Sequence, residues 1–174
     1  EHEKEVQLAL IKNDPKNANK PEQIIASLND SLSDGNELGM FCTAFMGILD
    51  LKTGHLRYCN AGHNAPLTIA ADGRVAPLPV VPNLPLGMFE GFPYEGQAIE
   101  LEGQMMLYLF TDGVNEAENT AKELFGDLRL EALLRREASQ EPTGIIDATF
   151  AEVQRHAYGA EQSDDITVMC IKYC

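Results

Sequence analysis

Three carboxylates and one histidine are the side chains in this sequence best placed to do chemistry. Asp112 ends the uncharged run 105–110 and is followed by Gly113, so a segment of strand length delivers a single acid into a sharp turn. Asp164 and Asp165 instead stand in front of an apolar run, 166–171. If the two runs are antiparallel neighbours, the end of the first and the start of the second share one edge of the sheet, and Asp112 faces Asp164. Adjacent carboxylates repel unless they share a proton or a cation, so such a rim suits a hard, oxygen-seeking ion. Magnesium, manganese and calcium all answer that description. Alone, an Asp-Gly pair after a strand is equally a plain turn; the second acidic stretch is what argues for a site.

The histidine lies in Asn60-Ala61-Gly62-His63-Asn64-Ala65-Pro66, a compact loop of small and polar residues between two strand-like segments. Gly62 allows close backbone approach and His63 can donate a proton or a hydrogen bond, as a bound phosphate requires. A plain connection bearing a surface histidine is the alternative. Ser33-Asp34-Gly35 repeats the acid-glycine pairing, but no apolar strand delivers Asp34, and it reads as a loop.

The elements that must position these residues follow from hydrophobic spacing. A short helical pattern over 3–12 breaks at Asn13-Asp14-Pro15, and Pro21 opens a helix with Ile24, Ile25, Leu28 and Leu32 on one stripe. Segments 40–50 and 55–59 make a hairpin, and Asp72-Gly73 closes another between 67–70 and 75–78. The proline-interrupted stretch 77–93 is an irregular excursion, and 97–101 resumes the sheet. Beyond Asp112, residues 114–119 are helical and Asp127 caps a helix bearing Leu130, Leu133 and Leu134. A last helix aligns Ile145, Ile146, Thr149, Phe150, Val153 and Ala157.

With 174 residues, 44% of them hydrophobic and 23% charged, the chain suits one well-buried domain. A net charge of −14 with no basic stripe argues against nucleic-acid binding, and no apolar run is long enough to span a bilayer. Cys42, Cys59, Cys170 and Cys174 lack metal-ligand spacing; the first three sit in apolar strands, as reduced core residues of a cytoplasmic protein do.

Taken in order, Phe41-Cys42-Thr43-Ala44-Phe45, Tyr58-Cys59-Asn60-Ala61-Gly62-His63-Asn64-Ala65-Pro66, Pro85-Leu86-Gly87, Thr111-Asp112-Gly113-Val114-Asn115-Glu116-Ala117, Phe125-Gly126 and Ser163-Asp164-Asp165-Ile166-Thr167 resemble one family. It is the SpoIIE-type (sporulation stage II E-like) domain of the metal-dependent bacterial serine/threonine protein phosphatases, and the resemblance covers 21–173. It implies an α+β fold of two antiparallel sheets sandwiched between helices, with a site for two Mn2+ or Mg2+ ions at one end. The family's later metal aspartates fall on Asp112 and Asp164, with Asp165 a further candidate at a position that related phosphatases fill with asparagine. Gly62, His63 and Asn64 match the near-site loop, and Gly113 supports the turn. The implied reaction is hydrolysis of phosphoserine or phosphothreonine in a regulatory partner such as an anti-sigma-factor antagonist, by in-line attack of a metal-activated water. A sensor or regulatory domain upstream is also implied.

The family's earlier strand pair, with its own Asp-Gly metal motif, has no counterpart ahead of Met40. Residues 1–174 are therefore expected to form a single but N-terminally partial domain, whose missing ligand lies before Glu1. Otherwise the chain is a catalytically silent binding or regulatory module. Two divalent ions carry four positive charges against two from Asp112 and Asp164 and at best a third from Asp165. The expectation is at most one weakly held ion.

Overall fold

The computed structural model describes residues 20–162 and 164–174, so the helical pattern at 3–12 lies outside it. In chain order the elements are α1 (Pro21–Ser33), β1 (Ala44–Leu49), β2 (His55–Ala61), β3 (Leu67–Ile69), β4 (Val75–Pro77), β5 (Gln97–Glu100), β6 (Met106–Phe110), α2 (Asp112–Asn115), α3 (Asp127–Glu137), α4 (Pro142–His156) and β7 (Val168–Lys172). They make two antiparallel sheets, β1-β2-β5 and β4-β3-β6-β7, each belonging to a separate unit of the backbone.

The first unit runs to His63 and includes Pro79–Leu101. Its hairpin pairs Ala44 with Ala61 through Leu49 with Leu56, and Gly54 enters β2 at φ +77°, which a side chain would resist. Ile25, Cys42, Ala44, Met46, Cys59, Ala61, Leu86 and Tyr94 cluster as its core. The expected stripe on α1 is corrected here. Pro21, Ile25 and Asn29 are the buried positions, whereas Leu28 and Leu32 are exposed. The reason is polar. Asn29 donates to the Phe89 carbonyl at 2.9 Å and accepts from the Gly87 amide (3.0 Å) and the Tyr94 hydroxyl (3.1 Å), which turns its face of the helix inward. That asparagine and Asn83, bonded to Asn60 and Glu95, pin the irregular excursion that the prolines predict.

The second unit comprises Asn64–Leu78 and Glu102–Cys174. β6 lies between β3 and β7, with all five residues buried. Leu130, Leu133 and Leu134 from α3 and Ile145 and Val153 from α4 join Tyr108 and Phe110 in one cluster. Inside it the Tyr108 hydroxyl donates to Thr149 Oγ1 (3.0 Å), which donates to the Ile145 carbonyl (2.9 Å), so the buried hydroxyls are satisfied. Burial pushes the Tyr108 phenol up, well beyond its ordinary range. Three expectations need correcting. Phe150 is 42% exposed, because Ile145, Thr149 and Val153 already fill the α4 stripe at i, i+4 and i+8. Gly126, at φ +80°, takes the cap position of α3, and Asp127 instead accepts a 2.9 Å bond from Asn115 Nδ2. The helix after β6 begins at Asp112 and ends at Asn115; beyond it Glu118 and Leu124 form an antiparallel bridge.

Candidate metal centre

β6 and β7 are antiparallel, with Phe110 opposite Val168, so the turn after β6 and the segment before β7 meet at one edge of the sheet. Asp112 is half-buried as the first residue of α2; Asp164 and Asp165 are exposed. The Asp165 amide donates to Asp164 Oδ1 at 2.7 Å, which orients that carboxylate locally. β7 starts only at Val168, two residues later than the apolar pattern suggests, because Thr167 serves a different contact.

That contact is Thr111. Its amide donates to the Thr167 carbonyl (3.0 Å), its hydroxyl donates to the Asp165 carbonyl (2.9 Å), and the same oxygen accepts from the Thr167 amide (2.9 Å). One buried threonine thus fastens the two acid-bearing segments together. Sequence reasoning passed over it, although a hydroxyl directly before the Asp-Gly of a buried strand was a usable signal. Gly113 has a steric role: a methyl group there would overlap the Asp165 carbonyl oxygen and lie 2.9 Å from its carbon and 3.3 Å from the Asp164 oxygen. Only glycine lets the segments approach this closely.

The loop containing His63 is built otherwise. Asn60, at the end of β2, donates through Nδ2 to the His63 carbonyl (2.7 Å) and accepts the His63 amide at Oδ1 (2.9 Å), while His63 Nδ1 lies 3.2 Å from Thr43 Oγ1. Gly62 has φ +73°, and a Cβ on it would come within 2.6 Å of the Pro85 ring. Gly62 and His63 belong to the first unit and Asn64 to the second. The Asn64 Nδ2 is buried and has no hydrogen-bond partner among the described residues. Asp34, set aside as a loop acid, is exposed just after α1.

With this geometry in view, comparison with known proteins is informative. The family model described as Stage II sporulation protein E (SpoIIE) matches residues 7–173. The chain belongs to the SpoIIE family. Among curated proteins it is similar to Protein IcfG of Synechocystis sp., 31% identical over 144 residues that make up 82% of this chain and 22% of that protein. The SiaA-PP2C domain of Pseudomonas aeruginosa matches with a TM-score of 0.76 at 21% identity, covering 89% of this chain and 61% of the other. The phosphatase domain of SpoIIE from Bacillus subtilis, in a manganese-presoaked structure, gives 0.64 at 20% identity, covering 90% and 68%. These structures share the α+β fold with its two antiparallel sheets, and the family is one of phosphatases. The SpoIIE-family chain described here spans less than two thirds of the length of IcfG and of the SiaA domain.

Whether the residues suit a divalent ion can be judged from the donors. Asp112, Asp164 and Asp165 offer hard carboxylate oxygens at one sheet edge, and among the described residues none of the three is in a salt bridge. Carboxylates of that kind are the donors that magnesium and manganese take. Among the described residues, however, no group of three or more His, Cys, Asp or Glu side chains, these three aspartates included, is arranged to hold a metal ion. None of the four cysteines is in a disulfide. No described helix is long and apolar enough to cross a membrane.

Proposed function

We propose that this chain is a protein serine/threonine phosphatase domain acting on phosphoserine or phosphothreonine in a cytoplasmic regulatory partner, of which an anti-sigma-factor antagonist is one example. Family membership supports the reaction class. The observation that carries the assignment to residues is the β6–β7 pairing, which sets the Asp112 turn against the Asp164–Asp165 segment.

In this reading Asp112 and Asp164 hold Mn2+ or Mg2+, with Asp165 as a further ligand and Gly113 as turn support. When bound, the ion supplies Lewis acidity toward the phosphoryl oxygens and lowers the pKa of water. The chain's own residues do the positioning. Thr111 and Gly113 keep the two acidic segments in contact, so the carboxylates need little reorganisation when charge develops on the phosphoryl group. The family resemblance assigns Gly62, His63 and Asn64 to the near-site loop; the orphaned Asn64 Nδ2 is a donor that a phosphate oxygen would satisfy. A sensor domain upstream would fit the chain's covering only part of its curated relative.

The test is a manganese titration by calorimetry together with a phosphoserine-peptide assay, on residues 1–174 and on a version extended upstream. We expect this chain to bind no more than one ion, weakly, and to turn over more slowly than the extended one. Equal turnover would show the ligand set to be misassigned and would make Asp34 the first residue to mutate. Binding of a phosphoprotein by both versions without turnover would leave a silent regulatory module in place of an enzyme.

A further inference from the structure

In the second unit a groove of 770 Å3 includes Gly113 and Asp165 in its lining and is therefore continuous with the acidic edge. Ala157 and Ile166 supply half-buried apolar surface, and α4 with the turn beyond it adds Phe150 and Tyr158. These two aromatic side chains are 42% and 86% exposed, an unusual outlay of apolar area for rings with no partner to cover them. The remaining charge in the lining is of one sign: Glu118, Glu161 and Asp165, with no lysine or arginine. Lys122, outside the lining, is paired with Glu118 at 2.6 Å and also lies in the field of Glu161, so one cation stands against three carboxylates and the groove stays net acidic.

An apolar trough with an exposed tyrosine and an excess of carboxylates suits one kind of guest. A long basic side chain can lay its methylenes on Ala157 and Ile166, set its cation over the Tyr158 ring and meet a carboxylate. An acidic guest is repelled, and a wholly apolar one leaves Glu161 desolvated. Resting on the phosphatase reading above, we propose that this groove seats an arginine- or lysine-bearing segment of the substrate phosphoprotein, next in sequence to the phosphorylated residue. The groove then selects the substrate, and the acidic edge processes it.

The experiment uses the intact manganese-loaded protein and three short phosphoserine peptides that differ only in flanking arginines, glutamines or glutamates, with p-nitrophenyl phosphate as a substrate too small to reach the groove. The arginine peptide should show a KM about tenfold below that of the glutamine peptide. Glu161→Lys and Tyr158→Ala should each erase that advantage, with kcat and p-nitrophenyl phosphate turnover unchanged; Ala151→Trp, which fills the groove from an exposed position, should do the same. Fluorescence anisotropy with the unphosphorylated arginine peptide reads the groove without any turnover and should show the same losses. Equal KM for all three peptides, or variants that bind the arginine peptide as well as the parent does, would overturn the inference. So would a concentration-dependent dimer in sedimentation that Tyr158→Ala dissolves, since the occupant would then be a second copy. If no phosphate ester is hydrolysed, the phosphatase reading fails, and the anisotropy series still decides whether the groove takes a basic segment.

Discussion

Asp165 and Thr111 are 54 residues apart in the chain and are held together by main-chain pairing of two strands and a threonine hydroxyl, whereas His63 is held by Asn60, three residues away. The acidic edge therefore exists only when its unit is folded, because each half of it is meaningless without the other. The main chain of the histidine loop closes over a few residues at small entropic cost, while the His63 ring reaches to Thr43, 20 residues away. Long-range assembly of the acids also means that small steric changes between the two strands should act on metal affinity, while equivalent changes in the loop should not.

The sharpest way to break this contrast is at the acid itself. Asp112→Asn should lower manganese affinity and phosphopeptide turnover by about a hundredfold or more, with the thermal unfolding midpoint nearly unchanged; calorimetry and a scanning fluorescence melt check both halves. Gly113→Val comes next. Its side chain must displace the Asp165 carbonyl, and we expect a loss of about 1–3 kcal/mol in urea unfolding together with weakened manganese binding. Thr111→Val keeps the shape but strands the Asp165 carbonyl and the Thr167 amide, a cost of about 1–3 kcal/mol, and it too should reduce manganese affinity. Asn60→Ala, by contrast, should cost about 1 kcal/mol and leave manganese affinity as it was; a drop in affinity there would erase the distinction between the two regions.

The last effect concerns alkaline pH and compares the two units directly. Burial, aided by the Glu22 charge, pushes the Cys59 thiol of the first unit from 9.0 up to about 12, and burial pushes Cys170 of the second from 9.0 to about 11. A thiol is neutral when protonated, so as pH rises past 9.0 the unfolded chain loses these protons first. Stability is whole below that point and declines up to the folded values. Urea midpoints should therefore hold up to pH 9 and fall between pH 9 and pH 12. Cys59→Ala should flatten the decline more than Cys170→Ala, and Cys174, exposed, should be the thiol that iodoacetamide alkylates first.

Much of this molecule was legible in its residues. Apolar runs of strand length, the Asp-Gly hairpin and the proline opening α1 act through local conformational preference, and each element they indicate is present. The order of acid after one strand and before another was enough to place Asp112 and the Asp164–Asp165 segment at one sheet edge once the strands paired antiparallel. Family membership was likewise carried by motif order. What the residues could not disclose depended on partners far away in the chain. Leu28, Leu32 and Phe150 have the spacing of core positions but stay exposed, because Asn29 and Thr149 claim the inward faces through hydrogen bonds to groups that helical periodicity does not register. Thr111 looks like any strand residue until Asp165 and Thr167 arrive beside it. A hydrophobic pattern reports which side of an element avoids water, a property of neighbours in sequence; which polar atoms meet across the core is settled only when the chain closes on itself.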